Sequence, residues 1–499
     1  MSRVMKTGTA VRNGKLCNRV AAGCLAAAIA ALAGATAAAA NEAHVYRTKL
    51  DGEFRETVSA QPSTFTGDGL RLVDLDAATD KWPFLGLGTS FPEGSCHLIM
   101  SLPAAQRREI VEKLFGAKGA ALSIGRIHCG SSDYSRHFYT YDDVAGDRAL
   151  ANFSIEPDRK EIIPVIREAM AVNPDLYLFS STWSPPAWMK EGGSLFSGAL
   201  REDCVDVYAD YLVKFFKAYA DEGLRIRAYT AQNEPGCEQQ HSSPTCDLPA
   251  AREIAVIKSA APKIRAAGLD VKPWLLDFNF ICTGRVDQCL QDAALRPLLG
   301  GIAWHCYAGQ PEDIREIRRK YPDIEMYETE FGPMYDTRVQ NIVWWGDIVL
   351  RTINAGCGSF VNWCPVLDED GEPNASLGFP CWGLLTLDSR TKAVTESEQY
   401  RVFRHIGPYV RRGARVLEAP LVAGKFFDAK PGLAQLEKLV HTAFRNPDGS
   451  YVVVFVGHEE GDAYRPWHRV QVQIKCRGRY LPVQVAMNAV TTVVLPKEW

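Results

Sequence analysis

The sequence predicts an α/β protein, a closed (β/α)8 barrel with an accessory β-sandwich built from the two ends of the chain. Three observations lead there. Eight short apolar runs recur between residues 84 and 363, and amphipathic stretches separate them. Glu234 and Glu330 each close one of these runs and lie 96 residues apart, or 32 per unit if three units intervene, a normal length for one strand plus one helix. The flanks, residues 41–80 and 413–499, instead alternate apolar and polar residues with the period of a half-buried strand.

Taken in order, residues 1–40 read as a secretory signal. Five cations (Arg3, Lys6, Arg12, Lys15, Arg19) precede 21 uncharged, Ala-rich residues that end in Ala38-Ala39-Ala40. An uncleaved anchor is the alternative, since 21 residues can span a bilayer, although alanine gives little transfer energy. Cleavage after Ala40 leaves 51 cations against 59 acids, a net charge near −8. With 46% apolar and 23% charged residues the whole chain reads as globular, and the leader marks it as exported, either secreted or periplasmic, with no stable membrane insertion. The acidic balance argues against nucleic acid as a partner.

Residues 41–80 supply the first sandwich strands, and residues 81–412 the barrel. The apolar runs are Phe84-Leu85-Gly86-Leu87-Gly88, Ala121-Leu122-Ser123-Ile124-Gly125-Arg126-Ile127, Leu176-Tyr177-Leu178-Phe179-Ser180 and Ile226-Arg227-Ala228-Tyr229-Thr230. Val271-Lys272-Pro273-Trp274-Leu275-Leu276, Gly301-Ile302-Ala303-Trp304-His305, Ile324-Glu325-Met326-Tyr327-Glu328 and Gly358-Ser359-Phe360-Val361-Asn362-Trp363 follow. Helical patterning fills the gaps at 105–115, 158–171, 205–220, 250–267 and 311–320. An open doubly wound sheet gives similar local patterns and stays open as the structural alternative. In the last segment, 413–499, Tyr451-Val452-Val453-Val454-Phe455-Val456 and Val470-Gln471-Val472-Gln473-Ile474 read as strands, and Asn446-Pro447-Asp448-Gly449 is a turn. Of 14 cysteines, Cys17 and Cys24 fall in the leader. The remainder are scattered, without a zinc-ligand spacing; Cys237/Cys246 and Cys282/Cys289 are spaced to close loops as disulfides.

Chemistry concentrates at two strand tips. Thr230-Ala231-Gln232-Asn233-Glu234-Pro235 delivers an amide and a carboxyl side by side before a proline stops the strand. Met326-Tyr327-Glu328-Thr329-Glu330-Phe331-Gly332 ends in a second carboxylate. At the C-terminal rim of a barrel, two facing carboxylates suit glycosidic cleavage, one protonating the leaving oxygen while the other attacks carbon. A single Glu at a strand end is more often a solvated rim residue, so the pair carries the inference. Gly86-x-Gly88-x-x-Phe91 breaks the dinucleotide glycine pattern, and no Gly-x-Ser-x-Gly elbow occurs, which disfavours hydride transfer and serine hydrolysis. No cofactor and no metal are called for.

Several motifs in order resemble glycoside hydrolase family 30, the glucosylceramidase-like family. They are Arg126-Ile127-His128-Cys129-Gly130-Ser131-Ser132-Asp133-Tyr134-Ser135, Tyr139-Thr140-Tyr141-Asp142-Asp143, Asn152-Phe153-Ser154-Ile155, Trp183-Ser184-Pro185-Pro186-Ala187-Trp188-Met189-Lys190 and Gly301-Ile302-Ala303-Trp304-His305-Cys306-Tyr307. The similarity covers residues 86–415 and the sandwich layout. It implies a retaining, double-displacement glycosidase acting on a β-linked glycoside or oligosaccharide. Glu234 would be the acid/base and Glu330 the nucleophile, with Glu330 holding Glu234 protonated for the first step. Asn233 would bond the sugar 2-hydroxyl, and Asp133 and Trp183 would grip other hydroxyls by a charge-assisted bond and an indole N–H. Trp363 would form an apolar floor, and Arg126 would keep Glu330 ionised. His305 and Tyr307 would orient Glu330, with Asp277 behind them.

The sequence departs from the family pattern in three places. Glu328 stands where the family has a small or apolar residue, and strand periodicity points it into the barrel beside Glu330. The loop at 236–249 lacks the aromatic-rich segment of ceramide-cleaving members, and Asn362-Trp363-Cys364 replaces an acid-Trp-Asn pattern. Three readings follow: an exo-acting β-glycosidase for glucose or a close analogue such as fucose or xylose, an endo-acting glucanase or xylanase, and a carbohydrate-binding barrel without catalysis. The third leaves the two glutamates unexplained.

Overall fold

The computed structural model describes residues 42–50, 55–60, 71–236, 242–332, 340–376, 381–422, 437–459 and 469–499. The leader at 1–40 and Cys237 lie outside the described residues. Eight parallel strands form the barrel: β1 (Gly86–Ser90), β2 (Ile124–Cys129), β3 (Tyr177–Thr182), β4 (Ile226–Thr230), β5 (Lys272–Asn279), β6 (Gly301–His305), β7 (Met326–Glu330) and β8 (Ser359–Asn362). Each pairs with the next, and β8 returns to β1 through Ser359↔Gly86. β7 meets β8 at two bridges, Met326↔Cys357 and Phe331↔Asn362. The sheet is therefore closed, and the open doubly wound alternative is excluded.

Alternation along the strands sorts the interior into layers. Ile124, Phe179, Ala228, Trp274, Ala303 and Val361 form an apolar plug in the barrel, with Tyr327 stacked on Trp274 at 4.2 Å between centroids. Two positions farther along the same strands come Arg126, Ser181, Thr230 and His305, all buried. Going from the apolar layer to this polar one marks the end of the barrel that carries the site.

The surrounding helices bury one apolar stripe each. Ile162–Val172 buries Ile162, Ile163, Val165, Ile166 and Ala169, and Val205–Asp221 buries a row of Tyr, Phe and Leu side chains. At about 1.5–3 kcal/mol per large apolar side chain, such stripes fix each helix to the sheet. Ile342–Ala355 starts at Asn341, whose Oδ1 accepts from the amides of Val343 and Trp344 at 3.0 and 3.1 Å. Its Gly346 lies against the sandwich, where an added Cβ would come within 2.7 Å of Val456.

The sandwich draws on both chain ends. Its larger sheet runs in the order Arg55–Ala60, Ala43–Lys49, Ala489–Leu495, Tyr451–Glu459, Glu437–Arg445, Ala414–Glu418, Thr79–Phe84. The smaller runs Leu421–Val422, Arg71–Asp74, Arg469–Cys476, Arg479–Ala486. Val45, Val73, Val453, Phe455, Val472, Ile474 and Val493 fill the space between them. One cysteine expectation fails. Cys282 and Cys289 are free thiols, seven residues apart across the turn Phe280–Cys282 and the helix Thr283–Leu290. Seven helical residues rise about 10 Å, beyond the Cα separation of about 7 Å that a disulfide can bridge. Cys246 is likewise a buried free thiol.

Candidate active site

Asp277 is the centre of the polar layer. Leu276 and Asp277 both have positive φ, +78° and +69°, and the β5–β6 register shifts beside them. That bulge turns the Asp277 carboxylate into the barrel. Its Oδ2 accepts from Arg126 Nη2 (2.8 Å), Ser181 Oγ (2.6 Å) and Thr230 Oγ1 (2.6 Å). Its Oδ1 bonds His305 Nε2 (3.0 Å) and Thr329 Oγ1 (2.7 Å). Burial alone would raise the pKa of this carboxyl, but Arg126, His305 and Ser181 overcome it and hold Asp277 far below the usual carboxylate range.

The two glutamates stand above this base. Glu234 sits just past β4 with φ +50°, and its amide donates to Asp277 O at 2.9 Å. One oxygen of Glu234, one of Glu330 and a nitrogen of His305 all lie within 4.8 Å of one another. Glu330 accepts from Tyr307 Oη on Oε1 at 2.9 Å and from Arg126 Nη1 on Oε2. Arg126 also reaches Asn233 Oδ1 (2.7 Å), which turns the Asn233 amide nitrogen away from the cation.

His305 departs from the expectation that it orients Glu330. Its Nδ1 is 3.1 Å from Glu234 Oε1, and its Nε2 belongs to Asp277 and lies 3.9 Å from Glu330. Tyr307, two residues on, is the group that holds Glu330. Burial disfavours a charged imidazole, but Glu330, Asp277 and Glu234 outweigh it and push His305 up to about 10. An imidazolium with both nitrogens engaged has no lone pair to offer a metal ion. The trio's donor set therefore fits a carboxylate–cation network better than a metal centre.

Asp133, Trp183 and Trp363 reach the same pocket. Trp183 and Trp363 stack on each other (5.0 Å, 18°), with the Arg126 guanidinium 4.8 Å and 5.5 Å from their ring centres. Both are almost fully buried, so Trp363 spends much of its face on Trp183 instead of forming an open floor. Asp133 is partly buried, and burial followed by Glu330 and Glu234 pushes it up to about 8. At neutral pH it carries a proton, so the expected charge-assisted grip becomes a neutral O–H donor. His128, which the sequence reading passed over, packs against both tryptophans at 4.5 and 5.0 Å, and its Nε2 has no partner among the described residues. Its sequence signal was a second polar side chain two residues after Arg126. Ser181 and Thr230 were legible in the same way, as polar residues at inward positions of apolar strands.

Glu328 does not face the barrel interior. The β6–β7 register runs Trp304↔Glu328 and then His305↔Glu330, which makes Thr329 an extra residue on β7. Thr329 and Glu330 therefore both turn inward, onto Asp277 and Arg126 respectively. Glu328, fully buried, accepts instead from Val361 N at 2.6 Å.

A family model described as the glycosyl hydrolase family 30 TIM-barrel domain matches residues 84–379. The lysosomal acid glucosylceramidase of Mus musculus is 26% identical over 429 residues, covering 81% of this chain and 81% of that protein. An endo-1,6-beta-D-glucanase of Neurospora crassa is 26% identical over 484 residues, covering 92% of this chain and 96% of that one. A solved endo-beta1,6-glucanase shares the fold, with a TM-score of 0.80 at 24% identity over 91% of this chain and 100% of that one. With more than half of its length inside the family match, this chain belongs to glycosyl hydrolase family 30 and is a glycosyl hydrolase.

Proposed function

We propose that the enzyme is a retaining hydrolase of β-glucosides or close analogues that works by double displacement. Glu330 is the nucleophile and Glu234 the acid/base. The observation that carries this is the approach of the two carboxylates within 4.8 Å, on the short side of the about 5–5.5 Å that retaining enzymes use and well below the about 6.5–9.5 Å of inverting ones. In the first step Glu330 attacks the anomeric carbon while Glu234 protonates the departing oxygen. In the second, Glu234 takes a proton from water, which then attacks the glycosyl ester. Arg126 and Tyr307 each donate to one oxygen of Glu330 and hold it aimed. His305 engages Glu234 Oε1 and orients its carboxyl for the proton transfers. Asn233 offers its amide N–H to the 2-hydroxyl, Asp133 offers its proton to a sugar oxygen, and the tryptophan pair shapes the wall.

Exo action, as in a glucosylceramidase, is the first reading. Endo action on a β-1,6-glucan is the second, supported by the Neurospora crassa relative, whose length the chain nearly matches. We infer export from the leader. Product stereochemistry by NMR tests the mechanism, since initial release of the inverted anomer overturns it. Glu330→Gln should give no trapped glycosyl-enzyme, whereas Glu234→Ala should lose about 10²–10⁴-fold and recover with azide. A β-1,6-glucan digest separates the two modes: glucose alone supports exo action, and a ladder of oligosaccharides supports endo action. Export predicts a mature protein beginning at Asn41.

A further inference from the structure

The barrel is stitched unevenly at one seam. Between the bridges Met326↔Cys357 and Phe331↔Asn362, no ladder pair joins β7 to β8 among the described residues. Side chains stand in for the missing bonds. Ser359 Oγ donates to Glu328 O at 2.8 Å, and Val361 N donates to Glu328 Oε2 at 2.6 Å. On the other side of β7, against β6, Thr329 is the extra residue. The gap on one edge and the bulge on the other thus occupy the same stretch, 328–330.

We propose that Glu328 is a positioning residue for the nucleophile: its carboxyl fills the β7–β8 gap and holds open the bulge that turns Thr329 and Glu330 into the pocket. This rests on the reading of Glu330 as nucleophile. Strand geometry supplies the argument. Successive side chains on a regular strand point to opposite faces, so Thr329 and Glu330 cannot both face inward unless the strand is bulged. A strand zipped straight onto β8 would use Val361 N in its own ladder and turn one of the pair outward. Glu328 blocks that by taking Val361 N on a side-chain oxygen. Its other oxygen has no hydrogen-bond partner among the described residues; the buried Cys306 and Cys357 thiols lie near it, and His305 and Arg126 act on it only through their charge. Burial raises the pKa of this carboxyl well above the usual carboxylate range, against the bond from Val361 N and the charges of His305 and Arg126.

The test compares Glu328→Gln, which keeps the acceptor oxygen, with Glu328→Met, which keeps the volume and loses it. The rate at which a 2-deoxy-2-fluoroglycosyl fluoride labels Glu330, followed by intact mass and peptide mapping, is the main readout, alongside kcat, KM and thermal unfolding. The Met variant should lose about 10–100-fold in both labelling rate and kcat, with KM nearly unchanged, the scale of a displacement of about 1 Å. The Gln variant should stay within threefold of wild type. A Met variant that unfolds earlier yet labels and turns over normally when folded would make Glu328 merely structural and overturn the proposal. A Gln variant as impaired as Met would overturn the acceptor role. Ser359→Ala, which removes the companion bond, should show a smaller loss in the same direction if the Met variant does not fold, and an unchanged labelling rate there counts against the proposal. Wild-type enzyme labelled elsewhere than Glu330 refutes the nucleophile assignment itself, whatever the variants do.

Discussion

Asp277→Asn is the most informative single perturbation of the site. The carboxylate accepts three donors on Oδ2 and two on Oδ1. An asparagine must turn its NH2 toward one of these sets. If it keeps the oxygen toward Arg126, Ser181 and Thr230, the NH2 faces His305 and Thr329. Thr329 can rotate its hydroxyl and accept, but His305 can accept only by giving up its Nε2 proton. The reverse orientation sets the NH2 against a guanidinium that cannot lose a proton at all. Either way a buried charge pair is broken with both Arg126 and Asp277 fully buried, a loss of about 3–5 kcal/mol. Urea unfolding should show a lower midpoint at unchanged slope. Because the base beneath Glu234 and Glu330 shifts, kcat should fall about 100-fold, with KM much less affected. An unchanged midpoint together with kcat within twofold of wild type would refute the idea that the layer is organised around Asp277.

Two further outcomes follow from neighbouring groups. Tyr307→Phe deletes one of the two donors on Glu330, a hydrogen bond to a charged group worth about 1.5–3 kcal/mol, so kcat should fall about 10–100-fold in steady-state assays of an aryl β-glucoside. His305 has its pKa raised from 6.5 to about 10 in the fold, so between those values the folded state binds more protons than the unfolded one. Its contribution to stability is complete below pH 6.5 and disappears as pH rises through about 10, and unfolding midpoints should decline across that window. In His305→Gln the decline should flatten; a slope identical to wild type would assign it to other groups.

Much of the barrel was legible because its strands obey simple alternation. Ile226–Thr230 and Gly301–His305 have the bounds the apolar runs indicate. The first run was displaced because Phe84 closes a sandwich strand that pairs with Ala414, and the barrel strand begins only at Gly86. Gly86 has φ +138°, and an added Cβ there would lie 1.9 Å from Ser123 Oγ, so the chain changes sheets at a position only glycine fits. The positions of Glu234, Glu330, Arg126 and Asn233 were readable as strand tips converging on one mouth. The facing of Glu328 was not, since one inserted residue reverses every parity after it and periodicity carries no trace of it. The partner of His305 escaped for a related reason: the bulge at Leu276–Asp277 brings a carboxylate from β5 under the ring, a contact set by backbone geometry and not by spacing.

The left-handed backbone at Glu234 has a consequence of its own. A side-chain-bearing residue held at φ +50° carries a penalty of about 1 kcal/mol or more, which glycine would not incur. Replacement by glycine there would relax the backbone but also strip a carboxyl oxygen from His305 Nδ1, so the two effects oppose each other. The carboxyl thus anchors its own strained backbone, and a screen for heat tolerance alone has no clear reason to discard it.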